Sequence, residues 1–196
     1  MGNGYCIHLI RHLPTEGNKK RRYIGWTDEP ILEPSSVLKC TLNVSKLYGS
    51  DLLRAKQTAE IYFPNTVYNE DRAWRECYFG EFEGKTYAHL EKDLEYRDWI
   101  DDPFGKAPRG GESLLDVETR IVPALMKIPD QSVVVTHGGP IRIIMTLFSS
   151  EEKEFWSWDV PHGSCYRLEW ESKKAFQEGK KCTSILAVPI TANERM

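Results

Sequence analysis

Four separated places in this chain carry side chains able to act on a single phosphorus atom: Arg11-His12, Arg54, Glu76 and His137. A neutral imidazole is a competent nucleophile near its ordinary pKa of ~6.5, so this chemistry requires neither metal nor cofactor. Arg11, Arg54 and a protonated His137 would stabilise charge on the equatorial oxygens of a transferring phosphoryl group. A carboxylic acid is needed to protonate the departing oxygen, and its conjugate base can then activate water. The glycine-punctuated acidic loop at Glu76 offers one. The chemistry expected is phosphoryl transfer.

These residues must be brought together by the elements that carry them. Tyr5 to Arg11 is a short apolar run of strand length, and Pro14 and Gly17 mark its end. Ser132 to Thr136 is continuous and β-branched, as expected of a central strand, and runs into His137-Gly138-Gly139-Pro140 and an apolar helix over 141–148. Ligands of open α/β sheets sit beyond the carboxyl ends of strands, so a mostly parallel sheet would let His12 and His137 meet. A strand is expected over 44–48. Ser50-Asp51 reads as the N-cap of a helix over 52–62, placing Arg54 near a helix start that favours anions. Further helices are expected over 87–100 and from Leu114 to Leu125, the latter kinked by Pro123. Ser149-x-x-Glu152 reads as a capping box opening another, and 165–170 with 184–190 as a closing hairpin across a Lys/Gly-rich turn. The fold class is therefore α/β, a three-layer α/β/α sandwich with a mixed, mostly parallel sheet. One domain over 1–196 is expected, with 76–111 inserted over the site.

Composition narrows the function. Net charge is −3 with five scattered cysteines and no C-x-x-C pair, so neither a nucleic-acid field, a disulfide scaffold nor a zinc site is indicated. No signal peptide or long apolar segment is seen, and the Met1-Gly2 start has Cys6 where a myristoylation site needs Ser or Thr. A cytoplasmic protein is expected, with a small phosphorylated substrate as its partner and neither nucleic acid nor membrane; an oligomer has no support in the sequence.

The ordered motifs resemble the histidine phosphatase superfamily, in the branch similar to cofactor-dependent phosphoglycerate mutases and α-ribazole phosphatase. They are Arg11-His12-x-x-Thr15-x-x-Asn18, the loop Tyr23 to Pro30, the Ser50 to Ala59 helix, Glu76-x-x-x-Gly80-x-x-x-Gly84, Gly111-Glu112-Ser113, and Thr136-His137-Gly138. The resemblance implies His12 as the phosphorylated nucleophile, Arg11, Arg54 and His137 as the phosphate pocket, and Glu76 as general acid and base. It makes Thr15, Asn18 and Gly138 phosphate or substrate contacts, and Arg22 a contact to the rest of the substrate. The implied activity is a metal-independent phosphomonoester hydrolase without cofactor. The alternatives are a phosphoglycerate-type mutase, disfavoured by the short chain without long insertions, and a module that binds a phosphorylated ligand without turnover.

Two departures stand out. Leu13-Pro14 replaces the family's glycine after the nucleophile, which predicts a reshaped loop. The long helix usual before the Ser-Asp motif is shortened. Among other residues, His8 lies ~13 Å along a strand from His12, too far to share a metal. His89 reads as an exposed helix residue, His162 as a loop hydrogen-bonder, and Glu112 as either a site-orienting group or a helix cap. Gly80 to Thr86 resembles a P-loop one residue short, with carboxylates that would repel phosphate.

Overall fold

The computed structural model describes residues 4–34, 37–40 and 42–193; Met1–Asn3, the myristoylation-like start, lies outside them. Its centre is a six-stranded sheet in the order β4-β3-β5-β1-β6-β7. The strands are β1 (Tyr5–Arg11), β3 (Leu47–Gly49), β4 (Tyr68–Glu70), β5 (Ser132–Thr136), β6 (Cys165–Trp170) and β7 (Ser184–Val188). A separate antiparallel pair joins β2 (Val37–Lys39) to β8 (Thr191–Asn193). β4, β3, β5 and β1 run parallel, and β6 and β7 continue antiparallel, giving the mixed and mostly parallel sheet expected.

Alternation along the two central strands fills both faces. Ile7, Leu9 and Val134 pack with α5 (Leu114–Leu125) and α6 (Gly138–Phe148) in one core. Ile10, Val133 and Val135 pack with Ala55, Ala59 and Tyr62 of α2 (Leu53–Tyr62) in the other. A satellite cluster of Phe82, Leu90, Tyr96 and Trp99 lies within the segment after Glu76.

The register of β1 on β5 matters most for the site. Arg11 pairs with Thr136, and the His12 amide donates to the Thr136 carbonyl at 2.9 Å. The histidines that follow each strand therefore emerge side by side. Arg54 follows β3 and Glu76 follows β4, so all four groups lie beyond the carboxyl ends of parallel strands.

Several local expectations are corrected. The strand over 44–48 is shorter and shifted, at Leu47–Gly49. Ser50-Asp51 does not cap α2: its N-cap is Leu52, and the Leu53 amide instead donates to Asp28 Oδ1 at 2.8 Å. Asp51 is occupied by a bidentate pair with Arg75, at 2.7 and 2.6 Å, which holds its carboxyl below the usual range. The helix over 87–100 is two, α3 (Tyr87–Leu90) and α4 (Leu94–Asp101), because Asp93 turns its side chain back onto the Glu95 and Tyr96 amides. Ser149 ends α6, and its hydroxyl accepts from Glu151 in a turn that opens no α-helix. The closing hairpin contains α7 (Lys173–Gln177), started by Ser172. α1 (Glu16–Lys19) is a single turn. Among the described residues between Ile31 and Lys46 there is no helix, in line with the shortened segment.

Candidate active site

His12 is buried at the end of β1, with its Nδ1 2.6 Å from the carbonyl of Leu13. That carbonyl can only accept, so Nδ1 carries the proton and Nε2 keeps its lone pair. Leu13 is thus how the site accommodates the absent glycine. Its side chain packs into the α2-side core, its amide donates to Thr58 Oγ1 at 2.9 Å, and its carbonyl sets the His12 tautomer. The Thr58 hydroxyl in turn donates to the Arg54 carbonyl one helical turn earlier, at 2.6 Å.

Arg54 is fully buried at the start of α2. Its guanidinium donates to the carbonyls of Thr27 at 2.9 Å and Gly25 at 2.6 Å, and through Nε to His137 Nδ1 at 3.3 Å. His137 Nδ1 is therefore an acceptor, leaving the proton on Nε2, which is buried and bonds to no protein atom. Burial first, then the charge of Arg54, holds His137 well below its ordinary 6.5. The expectation of a protonated His137 is corrected: it is a neutral donor through Nε2, because Arg54 already occupies the other nitrogen.

Burial, then Arg54 and His162, likewise hold His12 well below 6.5. The His12 ring lies 5.0 Å from His137 and 5.1 Å from His162, centroid to centroid. His162 bonds through Nδ1 to the His12 carbonyl at 3.3 Å, and burial lowers its pKa to about 4. These shifts set a pH dependence of stability. A histidine whose folded pKa is depressed leaves stability unchanged above 6.5 and subtracts from it as pH falls, because the unfolded chain then binds protons that the native state refuses. Stability should decline from pH 6.5 towards 4, each histidine contributing up to about 1.4 kcal/mol per pH unit. Denaturation midpoints measured across this range should flatten in His162→Gln; an unchanged slope would contradict the assignment.

Arg11 projects from β1, donates to the Val160 carbonyl at 2.5 Å, and leaves a buried Nε without a partner. Thr15 is fully buried and caps α1: its hydroxyl accepts from the Asn18 amide, and the Asn18 side-chain oxygen accepts from the Thr15 amide. Thr15 therefore positions Asn18, whose Nδ2 remains free to donate into the pocket that Asn18 lines. Arg22 is exposed at the pocket rim. Gly138 stands behind the pocket, where a Cβ would come within 2.9 Å of Arg142 Nη1 and 3.2 Å of Arg11 Cζ.

Glu76 docks on the start of α6. Its carboxylate accepts from the Gly139 amide at 3.1 and 3.2 Å and from the Cys77 amide at 2.9 Å. A Cβ on Gly139 would lie 2.2 Å from Glu76 Oε1, so only glycine permits this seat. If Glu76 is the general acid that the resemblance implies, Gly139→Ala should displace the carboxylate and lower kcat by about a hundredfold, with Tm little altered. A parallel collapse of Tm would mean the residue is structural only.

The pocket that His12 shares with Arg11, Asn18, Arg22 and Glu76 has a volume of about 180 Å³ and an aromatic wall that includes Tyr23, Phe79, Trp99 and Trp156, while Arg54 and His137 are not among its lining side chains. Larger open hollows, of about 510 and 560 Å³, lie elsewhere on the surface and contain none of the histidines.

Three contributors were not singled out from sequence. Arg142 lines the pocket one helical turn after Gly138, a spacing that could have revealed it, and its Nε donates to the Trp158 carbonyl at 3.0 Å. Glu83 accepts from the amides of Gly25, Trp26, Thr27 and Phe79 and so shapes the loop whose carbonyls hold Arg54. Arg120 binds Glu112, which also accepts from the Tyr78 amide at 2.9 Å. Glu112 thus faces the site loop, while Ser113 caps α5.

With this geometry in place, the chain belongs to the histidine phosphatase superfamily (branch 1), whose family model matches residues 7–180. It is 32% identical over 155 residues to phosphoglycerate mutase-like protein 4 of Arabidopsis thaliana, covering 69% of this chain and 67% of that one. It is 29% identical over 184 residues to phosphoserine phosphatase 1 of Hydrogenobacter thermophilus, covering 85% and 87%. An Escherichia coli K-12 structure described as a candidate α-ribazole-5′-P phosphatase superposes with a TM-score of 0.76 at 21% identity, covering 87% and 93%. The family and these relatives place the chain among phosphatase-type enzymes. No helix among the described residues is long and apolar enough to cross a membrane.

Proposed function

We propose that the protein hydrolyses a small phosphomonoester through a phosphohistidine on His12. The observation that carries this reading is the locked tautomer. Nδ1 is held by the Leu13 carbonyl, so Nε2 is a free lone pair at the end of β1 in a pocket shared with Arg11 and Glu76. Nε2 attacks phosphorus while the P–O bond to the alcohol breaks, and the Glu76 carboxyl gives its proton to the departing oxygen. Water then attacks the phosphohistidine, the Glu76 carboxylate takes its proton, and the P–N bond breaks with its electron pair returning to Nε2. Inorganic phosphate leaves with both residues restored. Arg11, Asn18 and the Nε2–H of His137 donate to the phosphoryl oxygens, and Arg54 acts through its charge and its bond to His137. Arg22 and Arg142 face the rest of the substrate, and the segment from Glu76 to Gly111 is the cap of the pocket.

The pocket wall favours water over a second alcohol as acceptor. A mutase must hold a phosphorylated intermediate while it reorients, and apart from Arg22 and Arg142 the lining away from the phosphoryl contacts is aromatic and apolar, with few hydrogen bonds to offer. The test is to measure inorganic phosphate release against phosphoryl transfer to an added acceptor alcohol. Release should dominate at every acceptor concentration. Quantitative return of the phosphoryl group to the acceptor would replace hydrolase by mutase.

A further inference from the structure

Glu76 is held by more than its carboxylate. Its carbonyl accepts two donors, Arg120 Nη2 at 2.9 Å and Trp26 Nε1 at 3.0 Å. The same Arg120 guanidinium donates through Nη1 to the carbonyls of Ala73 and Arg75, both at 2.8 Å. Glu112 closes the other side of that guanidinium through both carboxylate oxygens at 2.8 Å, and one of these also accepts from the Tyr78 amide. One cation on α5 thus grips three carbonyls of the segment 73–76, and its counter-ion grips the amide two residues beyond Glu76. Trp26 adds a lateral hold, stacked on Tyr78 at 4.8 Å with the Arg75 guanidinium 5.0 Å over its ring.

We infer that Arg120, with Glu112 and Trp26, is a positioning clamp that aims Glu76 at the departing oxygen. The inference rests on the reading of Glu76 as general acid. A guanidinium suits this role because its planar fork meets several acceptors in fixed directions, whereas an ammonium would meet them one at a time. Arg120 itself is not among the side chains lining the pocket, so its effect passes through the backbone on either side of Glu76. The sensitivity is large because misplacing a catalytic group by about 1 Å can cost about a hundredfold in rate.

The test uses two substrates that differ in their need for a proton. p-Nitrophenol departs as a stable anion, whereas the alkoxide of butyl phosphate must be protonated as it leaves. In Arg120→Met, kcat/KM for butyl phosphate should fall about a hundredfold and that for p-nitrophenyl phosphate by less than about tenfold. A merely structural role would lower both alike, and an equal fall, or no fall, overturns the inference. Glu76→Gln, assayed beside it, separates the two ideas. A split in Glu76→Gln without one in Arg120→Met removes the clamp and leaves the general acid. No split in Glu76→Gln removes the general acid and the clamp with it. Should Arg120→Met not fold, Trp26→Phe deletes a single donor to the Glu76 carbonyl. It should show the same split, reduced to about threefold, and its absence overturns the clamp equally.

Discussion

His12→Ala should abolish turnover of every phosphomonoester, by about four orders of magnitude or more, as removal of an attacking group does elsewhere. The protein should remain folded. The lost side chain makes one hydrogen bond, to the Leu13 carbonyl, and its removal costs stability on the order of 1–2 kcal/mol. Phosphate binding should survive, because Arg11 and Asn18 still line the pocket and His137, at the start of α6, keeps its bond to Arg54 of α2. Inorganic phosphate should therefore still raise the Tm of the variant, and substrate dissociation should be measurable without turnover. That combination separates loss of the nucleophile from collapse of the site. If His12→Ala retained substantial turnover, His12 would be a binding residue and the covalent mechanism would fail.

Arg54→Met should produce the largest combined loss, in stability as well as rate. Its side chain is fully buried, and methionine refills the space of its aliphatic stem though not that of the guanidinium. Replacing a buried ion pair by an apolar residue is often neutral, but Arg54 does not fit that case. Its direct partners are neutral carbonyls of Thr27 and Gly25 together with His137 Nδ1, and the bonds to Gly25 and His137 are buried, so those two acceptors are left unsatisfied once the guanidinium is gone. An unsatisfied buried acceptor costs about 1–3 kcal/mol, so a destabilisation of about 3–5 kcal/mol is expected. Burial depresses the guanidinium pKa, with Glu76 and then Asp28 opposing that effect. The charge removed is thus one that the surrounding carboxylates support, and its loss should also lower kcat by a hundredfold or more. Urea denaturation and steady-state kinetics on the same preparation would check both. An equally stable Arg54→Met would mean that Glu83, through its own amide contacts, holds the 24–27 loop unaided.

The parts of this site that could be read from the chain are those with a local signature. The β-branched run before His137 and the apolar run before His12 fix two central strands, and their parallel pairing brings the histidines together without further information. What could not be read is who holds whom across long separations. Asp28 supplies the first contact at the start of α2 from 25 residues away, which frees Asp51 for Arg75, and no pattern near Ser50 announces the exchange. Glu83, through Gly25, Trp26 and Thr27, and Arg120 bind backbone groups 44 to 58 residues distant, and such bonds depend on backbone shape, not on partner residue type. The polar stretch after Ser149 fails as a helix for a simpler reason. Ser150 to Glu154 contains no apolar residue to bury, so a capping pattern had nothing to stabilise.

The most direct test of the mechanism is to mix the protein with a radiolabelled phosphomonoester, quench within a single turnover, and follow the label bound to protein. Label stable in alkali, released by mild acid, located on the peptide containing His12 and absent from His12→Ala is the predicted result. Label that resists acid, or that persists in His12→Ala, would contradict a phosphohistidine at this site.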